Sequence, residues 1–260
     1  MNSWQTSRRK LGELTLTKLP LGAIRENASL WFPDGCPERG RVELPINCLH
    51  VAGSGCSVLI DACDPGLYPV TGNSHATIRT ALDSVGIIAD EITHVILTHG
   101  HRDHFCGVWD HSKNRPNFPN ARHVLSSRDW VGSTLTAKAQ AADGYDADAK
   151  PLEMAFRLGL IDLDKPRIAL PPPITLLDTP GETDGHRVVR ISSSGEVFFF
   201  LSDLFHLSEE VSNPYLCPVW ADAQELQSSR QYVIRIIQAS KALSLCSHIP
   251  EIIPPDKFHF

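Results

Sequence analysis

The feature that most constrains this chain is Thr98-His99-Gly100-His101-Arg102-Asp103-His104, which places three imidazoles and a carboxylate within six residues. It directly follows an apolar, strand-like run at residues 92–97. His99 and His101 lie two apart, so an extended or turning backbone directs both inward, and Asp103 and His104 reach from the following turn or helix start. A buried group of neutral histidines needs several polar partners, whereas a divalent cation uses their lone pairs directly. The run points to a strand that ends at a metal-binding loop. The competing reading is a set of structural histidines at a surface turn.

The rest of the chain supplies a scaffold for such a strand end. Residues 42–47, 57–61 and 92–98 read as strands. Between the last two, residues 74–89 place Ile78, Leu82, Val85 and Ala89 at helical intervals. Strand, helix, strand is an α/β order. Residues 133–173, with the alanine-rich stretch 137–142, a Gly144 turn and Pro171-Pro172-Pro173, read as a helical and loop excursion. Strand character resumes at 174–178, 187–191 and 197–201. A helix at 222–239 using Leu226, Val233, Ile234 and Ile237 then precedes a strand at 243–246. Two stacked sheets covered by helices on both sides fit this order.

With 260 residues and 42% hydrophobic content, the chain has material for a full core, which argues against disorder. Its formal charge of −6 gives no average attraction for nucleic acid or an anionic membrane, and neither partner is expected. The basic cluster Arg8-Arg9-Lys10 reads as a solvated face. Seven cysteines with no CxxC pair favour a reduced compartment. Early charges and the lack of a run of about 18 apolar residues argue against a leader or a membrane helix, so a cytoplasmic protein is expected. No G-x-S-x-G elbow is present, and Cys106 reads as helix packing, which favours metal-activated water over covalent catalysis.

The motif resembles the H-x-H-x-D-H signature of the metallo-beta-lactamase superfamily. That resemblance extends over about residues 42–250: a histidine after a Pro-Gly turn in Pro180-Gly181-Glu182-Thr183-Asp184-Gly185-His186, an acidic strand end in Phe200-Leu201-Ser202-Asp203, and Ser247-His248. It implies a four-layer αββα sandwich formed by residues 1–260 as one domain, with the excursion at 133–173 as accessory material. It also implies two metal ions, one held by His99, His101 and His186, the other by Asp103, His104 and His248, with Asp203 bridging. Outside the family order, His186, Asp203 and His248 are modest candidates. His and Asp donors suit zinc, and the same set accommodates iron, manganese or cobalt.

Two adjacent Lewis acids would activate a water for attack on a carbonyl or phosphoryl centre. Asp103 is the candidate for proton handling as the leaving group departs. Asp61, at a strand end, reads either as support for a histidine ligand or as a turn residue. The family hosts many substrates. Length and the Ser247-His248-Ile249-Pro250 ending are similar to its lactonase-like members, which implies hydrolysis of a small lactone or cyclic ester. The alternatives are a lactam, amide or thioester hydrolase, and a mononuclear iron oxidoreductase on the same scaffold.

The chain departs from the well-studied homoserine-lactone hydrolases at His206, where they resemble one another in having a tyrosine. Three readings of His206 stand: a catalytic substitute, a pocket residue or a helix neighbour. Glyoxalase-like members add a C-terminal helical segment, and only 12 residues follow His248. Nucleases of the family typically carry an inserted domain. Trp130, Tyr145, Met154, Phe156, Phe205, Tyr215 and Trp220 are candidates for an apolar wall over the site or, alternatively, for scaffold packing. A small-molecule substrate and a monomer or homodimer are expected.

Overall fold

Residues 198–201 alternate between two cores: Phe198 and Phe200 face one apolar cluster, Phe199 and Leu201 another. Period-2 side chains of a strand buried on both faces require a layer on each side. The computed structural model describes residues 6–27, 31–32, 40–66, 72, 75–130, 149–164 and 169–259. Cys36, Tyr145, the 137–142 stretch and the Gly144 turn lie outside the described residues.

The larger sheet begins with β1 (Ser7–Leu11), β2 (Leu14–Asn27), β3 (Arg41–Gly53) and β4 (Cys56–Ile60), which pair antiparallel. It continues with β5 (His94–Ile96). A short ribbon of β6 (Trp109–Asp110) and β7 (Arg115–Pro116) precedes β8 (Arg122–Leu125) and β9 (Ile161–Leu163), and β4, β5, β8 and β9 run parallel. The second sheet holds β10 (Ile174–Asp178), β11 (Arg187–Ser193), β12 (Glu196–Ser202) and β13 (Leu243–Cys246), with β12 and β13 parallel.

Leu14, Leu16, Val51, Val58 and Ile60 meet Val189, Ile191, Phe198 and Phe200 between the sheets. On the outer face of the large sheet, α1 (Ile78–Ser84) and α3 (Lys150–Arg157) pack through Ile78, Leu82, Leu152 and Ala155, with α2 (Arg102–Phe105) contributing Phe105. Over the second sheet, α4 (Ser208–Ser212) and the long α5 (Ala223–Ser240) supply Val211, Leu226, Val233, Ile234 and Ile237. The layers are therefore α, β, β, α, as the motif order implied. Among the described residues no helix is long and apolar enough to cross a membrane.

Three differences from the sequence reading have physical causes. The hairpin of β1 and β2 was not anticipated, because Pro20 and Gly22 interrupt the pattern; a register shift between Pro20 and Ala23 absorbs them. The same pairing lets β3 continue through Pro45 to Gly53. Residues 161–163 fall within the stretch read as an excursion, yet β9 pairs with β8 as the edge of the large sheet, because Ile161 is buried against the helix-side core. Arg8, Arg9 and Lys10 are exposed on the edge strand β1, where charge discourages strand addition.

Candidate metal centre

Parallel pairing of β4 with β5 and of β12 with β13 brings four strand ends to one edge of the sandwich. Asp61 follows β4, the Thr98–His104 loop follows β5, Asp203 follows β12, and Ser247-His248 follows β13. Asp61 and Ser202 hold left-handed φ angles of 61° and 51°, unusual for residues with a Cβ and kept where surrounding bonds fix them. Thr98 supplies those bonds. Its N–H donates to Asp61 Oδ1 at 2.9 Å, and its hydroxyl lies 2.7 Å from Ser202 Oγ.

Four of the histidines gathered at this edge have a polar partner on the outer nitrogen. His104 Nδ1–H donates to Asp61 Oδ2 at 2.8 Å, His248 Nδ1–H to the Pro45 carbonyl at 2.7 Å, and His186 Nδ1–H to the Thr179 carbonyl at 3.1 Å. His99 Nδ1 lies 3.2 Å from the Thr98 hydroxyl. A carbonyl or carboxylate only accepts, so in His104, His186 and His248 Nδ1 carries the proton and Nε2 faces inward as the acceptor nitrogen of the neutral ring. Asp61 thus supports a histidine. Nε2 of both His104 and His186 is buried with no hydrogen-bond partner. Such orphaned lone pairs, held in one tautomer by outer acceptors, fit a metal centre.

The inward atoms form two groups. His99, His101, Glu182 and Asp203 each offer a ligand atom within 4.8 Å of one another, as do Asp103, His104 and His248. Asp203 Oδ2 stands between them, 3.6 Å from His99 Nε2 and 3.2 Å from Nε2 of both His104 and His248. His186 is not in mutual reach of the whole first group, but its ring lies 5.2 Å from that of His99. Six of the seven residues expected to hold metal thus fall within the two groups, and the seventh adjoins them. His101 stands at the N-cap of α2, whose first turn swings Asp103 and His104 back into the site.

Electrostatics follow from burial among opposite charges. Burial drives His99 well towards the neutral form and moves His186 in the same direction. For His104 and His248 burial acts in the same direction, but nearby Asp203 and Asp103 outweigh it; His104 is pushed well up and His248 to about 9. Burial would raise Asp203 and Asp103, yet the facing imidazoles hold both carboxyls below the ordinary range. The site is thus a set of carboxylates that requires positive charge nearby, which divalent cations would supply in place of protons.

Two positioning residues escaped the sequence reading. Asp129, in the helical turn after β8, accepts from Gly100 N–H at 2.9 Å and the Thr183 hydroxyl at 2.8 Å through Oδ2, and from Gly185 N–H at 2.7 Å through Oδ1. It therefore binds the loop of His99 and His101 to the loop of His186. A Cβ on Gly185 would lie 2.5 Å from Ser126 Oγ, so this approach needs glycine. Glu182 is buried in the same loop, and Oε1 accepts from the Trp220 indole at 2.7 Å.

His206 is fully buried, its Nε2 3.4 Å from Asp203 Oδ2 and 3.5 Å from Glu182 Oε1. Trp31 and Trp220 stand edge-on to each other at 4.8 Å, and both lie within 6 Å of the His206 ring. Of the residues proposed as a wall, Trp220 reaches the site. Phe205 instead packs under Arg230 and against Phe258, Trp130 stacks on Phe156 at 4.5 Å, and Tyr215 is exposed. Met154 packs against the helix-side core, where apolar surface is better shielded from water. Cys106 is buried, its Sγ accepting from Asp64 N–H at 3.2 Å, a packing role.

The family model of the metallo-beta-lactamase superfamily matches residues 41–238. The chain belongs to that superfamily. Among solved structures it is similar to AidC, described as a dizinc quorum-quenching lactonase in complex with a homoserine product. The TM-score is 0.78 and the identity 24%, over 94% of this chain and 90% of that one. The hydrolase AbOPH gives a TM-score of 0.78 at 18% identity over 95% and 91% of the two chains. A probable metal-dependent hydrolase from Staphylococcus aureus gives 0.74 at 19% over 92% and 91%. At these identities the likeness is one of fold. Among curated protein sequences nothing matches.

Proposed function

We propose that the chain is a two-metal hydrolase that opens a small lactone or related cyclic ester. The observation that carries this reading is the inward convergence of His99, His101, Asp103, His104, His186, Asp203 and His248, with outer hydrogen bonds fixing Nε2 as the free nitrogen of His104, His186 and His248. His99, His101 and His186 would hold one ion, Asp103, His104 and His248 the other, and Asp203 both. Zinc suits these donors, as do iron, manganese and cobalt. When bound, the ions would supply Lewis acidity that activates water and polarises the substrate carbonyl. The reading takes residues 1–260 as one domain, because strands of both sheets contribute donors.

The chain's own groups divide the remaining work. Asp103 Oδ2, 3.3 Å from His248 Nε2, is the proton carrier for the departing ring oxygen. His206, in the place of the family's tyrosine, donates through Nε2 to the carbonyl oxygen. A cavity of about 270 Å³ lined by Arg41, Glu43, His206, Leu207, Ser208 and His248 accommodates a small ring ester. The likeness in fold to a lactonase supports the same substrate class.

The test combines anaerobic metal analysis with turnover of matched lactones and lactams. Two tightly held ions and lactone opening that collapses in Asp103→Asn and His248→Ala are expected. Absence of tightly bound metal, or turnover untouched by those changes, would defeat the reading. One iron per chain with oxygen uptake and no hydrolysis would replace it with an oxidoreductase.

A further inference from the structure

We infer that Glu182 is itself a metal ligand, adding a carboxylate oxygen to the position framed by His99, His101 and Asp203. The inference rests on reading the cluster as a two-ion centre and goes beyond it in naming a donor that the motif order does not contain. Glu182 Oε1 is fixed by the Trp220 indole N–H at 2.7 Å and lies 3.3 Å from His101 Nδ1. In turn, His101 Nδ1 lies 3.0 Å from His99 Nε2. Three candidate donor atoms, Glu182 Oε1, His101 Nδ1 and His99 Nε2, therefore lie side by side. Mutual separations below 4.8 Å, with Asp203 included, match donors that surround one ion at about 2.0–2.2 Å.

A purely structural carboxylate accounts less well for this geometry. Oε1 accepts from the indole, with His206 Nε2 3.5 Å away, and Oε2 is buried with no hydrogen-bond partner, so the carboxylate as a whole is under-satisfied. Leaving an ionised oxygen in that condition is costly unless a cation faces it. The side chain has no exposure through which water would compensate.

The added charge changes what the centre can recognise. Asp103, Asp203 and Glu182 place three negative charges against the four positive charges of two divalent ions. The smaller remaining excess attracts anionic phosphoesters less and suits a neutral ring ester. An added oxygen donor also shifts the first position towards ions that favour oxygen, such as manganese and iron(II), relative to a site of histidines and one aspartate.

Cobalt(II) titration of the full-length metal-depleted protein tests this, with calorimetry counting ions and d–d absorption reporting coordination number. Wild type is expected to take up two ions. Glu182→Ala should weaken the first at least tenfold and leave the second unchanged, while its absorption strengthens as one ion loses a ligand. If circular dichroism shows that Glu182→Ala is unfolded, the near-isosteric Glu182→Gln carries the same comparison. Equal affinities and superimposable spectra would overturn the assignment even if turnover fell, because Glu182 would then act through His206. No cobalt uptake by wild type would defeat the two-ion reading, and the assignment with it.

Discussion

His206 stacks on His248, with ring centroids 5.7 Å apart and planes within 9° of parallel. The stack places a histidine outside the expected ligand set beside one within it, with Trp31 and Trp220 closing the other side. His206 is held there from behind: Glu210 Oε2 accepts from the N–H groups of His206 and Leu207 at 2.6 and 2.8 Å.

Replacing His206 by alanine should leave both ions bound and reduce kcat for lactone opening by roughly 100-fold, within the range for loss of one proton-donating group. Steady-state kinetics with metal analysis on the same sample checks this. An unchanged kcat with a raised KM would make His206 a pocket residue instead.

Asp129→Ala removes an acceptor shared by Gly100, Thr183 and Gly185. Affinity for the ion nearest His99 and His101 should fall by roughly 10–100-fold, as for other residues that orient ligands, with the second ion nearly unaffected. Titration against a chelating dye separates the two constants.

Arg230 is buried on α5, where it donates to the Leu204, Pro214 and Leu216 carbonyls and pairs with Glu210. Arg230→Met would strand the Glu210 carboxylate and should cost about 3–5 kcal/mol in urea unfolding. The double change with Glu210→Gln should recover part of that loss. No recovery would show that the cost lies in the carbonyl contacts alone.

That His99, His101, Asp103, His104, His186, Asp203 and His248 gather at one edge was legible in the sequence because each closes a strand or turn in a fixed order. Glu182 and Asp129 were hidden for the opposite reason: an acid in a turn or helix looks the same whether it faces water or a loop distant in sequence. Arg230 did leave a trace, since it lies four residues after Leu226 and three before Val233 on the apolar stripe of α5. Trp31 was missed because its partners, Val219, Trp220 and His206, come from the far end of the chain.

Acid should destabilise the protein partly through His123, away from the site. It is buried with both ring nitrogens unpartnered, and burial lowers its pKa to about 4. Between pH 6.5 and 4 the unfolded chain binds a proton that the folded one does not, so this contribution is complete above about 6.5 and lost as pH falls. The loss approaches roughly 3 kcal/mol by pH 4. Unfolding curves of His123→Phe should therefore show a shallower acid limb than wild type.

Anomalous diffraction from crystals grown with zinc measures the central claim most directly. Two peaks are predicted, one facing His99, His101 and His186 and the other facing Asp103, His104 and His248, with Asp203 between them. A single peak, or none at these residues, would contradict the two-metal account.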